Sequence, residues 1–84
     1  MNKRELWTRL AARPNAVRFG ELEALLMAFG WEFERSGKGD HVIYRRGNER
    51  FSVPYRRGAV LAVYVRRILR LTAEEEGYDD RTER

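Results

Sequence analysis

One histidine stands in these 84 residues, and cations flank it on both sides. His41 follows Gly39-Asp40, with Lys38 before it and Arg45, Arg46 and Arg50 after it. A phosphodiester with a free 2′-hydroxyl needs two kinds of help to break. A base must take the hydroxyl proton, and cations must stabilise the charge that builds on the phosphorane. An imidazole suits the first task because histidine ordinarily titrates near neutral pH. Lys38, Arg45, Arg46 and Arg50 suit the second. The residues alone leave a second reading open, since a lone histidine at a strand start is commonly structural or merely exposed.

Other chemistries fall away. There is no cysteine, so neither a disulfide framework nor a thiolate metal site can form, and one histidine falls short of the usual zinc ligand sets. Gly37-Lys38-Gly39 is too short for a phosphate-cradling loop and leads into a strand, not a helix. Asp79, Asp80 and Glu83 read as a polar tail. No cofactor is expected.

Charge is distributed unevenly. Residues 1–34 hold five cations and five carboxylates; residues 35–70 hold ten cations against Asp40 and Glu49; residues 71–84 hold two cations against six carboxylates. The overall +4 therefore conceals +8 in the middle segment. Nearly all the cations are arginines, whose planar fork matches phosphate. A polyanionic partner is expected. No apolar run approaches the roughly 18 residues of a membrane span, and no signal-peptide core is visible, so the cytoplasm is the expected location.

The elements that must position His41 can be read from period. Asn2 and Glu5 have the spacing of a capping box, followed by Leu6, Trp7, Leu10 and Ala11 on a short helix that Pro14 ends. Phe19, Leu22, Leu25, Leu26 and Phe29 form the stripe of a second helix, and Gly30 stops it. The period then falls to two. Trp31 and Phe33 alternate with Glu32 and Glu34; residues 41–46 form a second strand; Gly47-Asn48 turn the chain; and residues 50–53 form a third strand ended by Pro54. A third helix carries Val60, Leu61, Tyr64, Val65, Ile68 and Leu69, with Arg66, Arg67 and Arg70 on its other face.

This order predicts an α+β fold in which one face of a three-stranded antiparallel sheet carries the helices. Trp31, Phe33, Val42, Tyr44, Phe51 and Val53 should face the helices; His41, Ile43, Arg45, Arg50 and Ser52 should face outward. Residues 1–73 are expected to be a single domain and residues 74–84 a charged, flexible tail. A chain this short buries roughly 60% of its unfolded surface, so any site should be shallow.

Several segments carry a resemblance. Arg18-Phe19-Gly20-Glu21-Leu22-Glu23-Ala24-Leu25-Leu26 with Phe29-Gly30-Trp31, then Gly39-Asp40-His41-Val42-Ile43-Tyr44, Phe51-Ser52-Val53-Pro54 and Tyr64-Val65-Arg66-Arg67-Ile68-Leu69, resemble the HicA family of toxins in order and spacing over about residues 5–71. The resemblance implies a double-stranded-RNA-binding-domain-like α-β-β-β-α fold. It also implies a metal-independent, ribosome-independent mRNA interferase with His41 catalytic, neutralised by a HicB-type antitoxin. Its partners would then be mRNA and that antitoxin, with no membrane and no DNA bound by the protein by itself. The family's serine before the histidine is Asp40 here, a carboxylate that would repel an incoming phosphate. Residues expected to hold RNA are Lys38, Arg45, Arg46, Arg50, Arg56, Arg57, Arg66 and Arg67. The alternatives are a non-catalytic basic RNA-binding module and a protein whose basic face serves an acidic protein partner.

Overall fold

The computed structural model describes residues 2–55 and 59–76. Helix α1 (Lys3–Ala12) begins at a reciprocal capping box: Asn2 Oδ1 accepts from the Glu5 amide at 2.8 Å, and Glu5 Oε1 accepts from the Asn2 amide at 3.0 Å. A 3₁₀ turn over Pro14–Ala16 carries the chain into α2 (Phe19–Ala28). At the start of α2, Glu21 Oε1 reaches back to accept from the Arg18 amide at 2.9 Å. Gly30 ends α2 with φ +92°, and the amides of Gly30 and Trp31 donate to the carbonyls of Met27 and Leu26. That pattern satisfies orphan carbonyls and seats Trp31 in the core beside Leu26.

Strands β1 (Glu32–Ser36), β2 (His41–Arg46) and β3 (Glu49–Pro54) form one antiparallel sheet in sequence order. Gly47 has φ +60°, and no described non-glycine residue has positive φ, so the two-residue Gly47-Asn48 loop is the type II′ turn that matches strand twist. Helix α3 (Ala62–Glu76) returns across the same face of the sheet as α2. The architecture is thus α+β: α1, then α-β-β-β-α, with a core of Leu22, Leu25, Leu26, Tyr44, Val53, Val65 and Ile68 between sheet and helices. Trp7 docks α1, its Nε1 donating to the Leu69 carbonyl at 3.1 Å and to Thr72 Oγ1 at 3.0 Å.

Three details differ from the sequence expectations. Val60 and Leu61 precede α3 instead of lying in it. Ala59 bridges to Arg18, the Val60 amide donates to the Val17 carbonyl at 2.7 Å, and the Leu61 carbonyl accepts from Tyr64 and Val65. Helix α3 also runs through Glu76, into the segment that composition assigned to a tail; residues 77–84 lie outside the described residues. Finally, Phe33 is 54% exposed although its parity matches the buried Tyr44 opposite it. It sits on an edge strand past the reach of the helices and meets Tyr44 edge to face, ring centroids 6.4 Å apart.

Candidate functional site

His41 is the first residue of β2 and is exposed, opposite Pro54 of β3. The turn before it holds it from both sides: its amide donates to the Lys38 carbonyl at 3.2 Å, and its carbonyl accepts from the Gly37 amide at 2.7 Å. Its Nδ1 lies 3.3 Å from the same Lys38 oxygen. A carbonyl can only accept, so a hydrogen bond at this contact requires the ring proton on Nδ1, the tautomer that leaves the lone pair on Nε2. Gly37 packs closely against the side chains of Ile43 and His41. A Cβ there would stand 3.1 Å from Ile43 Cδ1 and 3.4 Å from His41 Cβ.

Ile43, Arg45, Arg50 and Ser52 share the open face with His41, as alternation requires. Strand β1 adds residues that the sequence reading left out of the site. Between Phe33 and Arg35 the register with β2 shifts, which brings Arg35 opposite Ile43 with Glu34 as the extra residue. Arg50 Nε donates to Glu34 Oε1 at 2.8 Å, Arg35 lies 3.9 Å from Glu34, and Arg45 lies 3.8 Å from Glu32. The Arg50 hydrogen bond holds the Glu34 carboxyl below the usual carboxylate range. Three arginines on this face thus meet two carboxylates, and the strongly basic sheet surface that segment charge suggested is mostly cancelled. The signal was available, since Glu32 and Glu34 share parity with each other on a strand next to Arg45.

Arg46 points the other way. Its guanidinium lies 4.7 Å over the Trp31 ring, and Nη1 donates to the Phe29 carbonyl at 3.2 Å and to Glu75 at 2.8 Å. Nη2 donates to Glu49 at 2.9 Å. The structure therefore turns Arg46 away from His41, beside which it was expected to help meet the phosphorane's charge. Lys38 is exposed in the turn beside His41. Asp40 lies in the same turn, just outside β2, and its carbonyl accepts from the Tyr55 amide at 2.6 Å. Arg66 and Arg67 are exposed on α3; Arg66 Nη2 lies 3.3 Å from Asn15 Oδ1, and Arg67 sits 5.7 Å over the Tyr64 ring. Arg56 and Arg57 lie outside the described residues.

No helix among the described residues is long and apolar enough to cross a membrane. Comparison with curated proteins and with solved structures gave no match. A family model described as the HicA toxin of bacterial toxin-antitoxin matches residues 19–72, from the first residue of α2 through the sheet and His41 into α3. With most of its length covered by that match, this chain belongs to the HicA toxin family of bacterial toxin–antitoxin systems.

Proposed function

We propose that this toxin is an endoribonuclease that cleaves mRNA in the cytoplasm without a metal or the ribosome, and that a HicB-type antitoxin restrains it. The observation that carries this reading is the exposed His41 imidazole, tethered through Nδ1 to the Lys38 carbonyl. In the proposed reaction Nε2 takes the proton of a 2′-hydroxyl. The 2′-oxygen then bonds to the adjacent phosphorus, the bond from phosphorus to the 5′-oxygen breaks, and that oxygen leaves as it takes up a proton. The products are a 2′,3′-cyclic phosphate and a 5′-hydroxyl. Lys38, in the same turn and with no ion pair among the described residues, is the cation best placed to meet the phosphorane's charge.

A second reading, RNA binding without cleavage, draws on the pairing of Arg45 and Arg50 with Glu32 and Glu34. It leaves the face around His41 with few free cations. Induced expression separates the two. The interferase reading expects growth arrest by the wild type, relief by a co-expressed HicB-type antitoxin, and no arrest by His41→Ala. Equal arrest by His41→Ala would favour the binding module.

A further inference from the structure

Among the described residues, a group of arginines without ion pairs lies on the helix layer. Arg13 is paired with Glu21, Arg45 with Glu32, Arg46 with Glu49 and Glu75, and Arg50 with Glu34. On α3, Arg66, Arg67 and Arg70 are all exposed and form no ion pair among the described residues. At 100° per residue these three occupy one face of the helix, with Arg66 and Arg67 each within one turn of Arg70. Like charges at such spacing destabilise a helix. A polyanion laid along that face would turn the repulsion into attraction.

The same face connects with His41 around one end of the molecule. Arg46, at the far end of β2 from His41, touches the C-terminal ends of α2 and α3 through Phe29 and Glu75. Both helices therefore begin at the His41 end. There Tyr55 follows Pro54, the cross-strand partner of His41, and its amide is fixed on the Asp40 carbonyl. Its ring is 50% exposed and is held edge to face by Phe19, the first residue of α2, at a centroid distance of 4.9 Å. From Phe19 the Arg18–Ala59 bridge leads to the start of α3.

We propose that single-stranded RNA is held along α3, with phosphates on Arg66, Arg67 and Arg70, and passes over Tyr55, on which a base stacks, to reach His41. Tyr55 is then a positioning residue, and the sheet arginines Arg45 and Arg50 contribute little to backbone binding. An exposed aromatic ring together with arginines that form no ion pair suits unpaired nucleotides, whose bases are free to stack. The proposal rests on the endoribonuclease reading in taking RNA as the ligand, but it does not require cleavage.

The test uses the full chain carrying His41→Ala, titrated with a fluorescently labelled single-stranded oligoribonucleotide of mixed sequence across a salt series. Adding Arg66→Ala, Arg67→Ala and Arg70→Ala should lower the slope of log K against log salt by about 2, at ~0.7 per phosphate contact. The corresponding three lysine substitutions should restore most of the slope. Arg45→Ala with Arg50→Ala should change it little. Tyr55→Leu should weaken binding with the slope kept. A slope unchanged by the alanine triple overturns the proposal, as does a triple that binds RNA normally but loses its antitoxin complex. Wild-type cleavage is assayed alongside. Cleavage with an α3-independent slope removes the track and keeps the interferase; an α3-dependent slope without cleavage does the reverse.

Discussion

Arg46 and Glu75 join the β2–β3 hairpin to the last turns of α3, with Arg46 Nη1 donating to Glu75 Oε1 at 2.8 Å above the Trp31 ring. An arginine that sequence position assigns to the RNA surface is thereby committed to holding the fold closed. Arg46→Ala should cost about 1–2 kcal/mol, combining a partly exposed ion pair with the lost cation–π cover of Trp31. Urea denaturation checks the stability loss, and RNA affinity should be unchanged at a temperature where the variant is folded.

The Arg13–Glu21 pair makes stability depend on acid. The Arg13 hydrogen bonds, then the Arg18 amide, lower the Glu21 carboxyl to about 2. A depressed carboxyl contributes stability that is fully present above its unfolded value near 4.5 and is lost as pH falls through about 2. Glu21→Gln should therefore be less stable than wild type at pH 6, with the difference shrinking steadily between pH 5 and pH 2. Melting curves across that range check it; a pH-independent difference would contradict the linkage.

Trp7 lies outside the family match yet anchors α1 to α3. Trp7→Phe keeps most of the buried ring but removes the donor to Leu69 and Thr72, an expected loss of about 1–3 kcal/mol. Trp7→Ala adds a cavity and should cost about 3–5 kcal/mol. Chemical denaturation of the two variants separates the hydrogen bonds from the packing.

Gly37 sets how closely the β1–β2 turn approaches His41. Gly37→Ala should press on Ile43 Cδ1 and His41 Cβ and shift the imidazole by a few tenths of an ångström, lowering RNA cleavage several-fold, since small misplacements are costly in catalysis. Thermal melting should change far less. Cleavage at the wild-type rate would show that the turn does not orient His41.

Much of this arrangement was legible in the residues. The stripe from Phe19 to Phe29, Gly30 as a stop, and the Gly47-Asn48 turn each have a local cause, and local causes survive folding. The outward face of His41 followed from strand parity. What was hidden depends on partners distant in sequence. The apolar spacing of Val60 and Leu61 fits a helix as well as it fits the bridge to Arg18 that they adjoin. Composition gave no sign that Glu75 would meet Arg46. Phe33 has the parity of a core residue, but parity cannot say where the helices stop covering an edge strand. Segment charge was the least reliable guide, because Glu32 and Glu34 come from the neutral stretch over residues 1–34 and cancel arginines of the basic middle.

The proposed role of His41 as a base on RNA can be tested on the purified protein. The most direct measurement incubates purified toxin, free of antitoxin, with single-stranded RNA in the presence of a chelator and identifies the product ends. Fragments ending in 2′,3′-cyclic phosphate are expected from the wild type, and intact RNA from an equally well-folded His41→Ala. Intact RNA with both proteins, or the same fragments from both, would contradict that role.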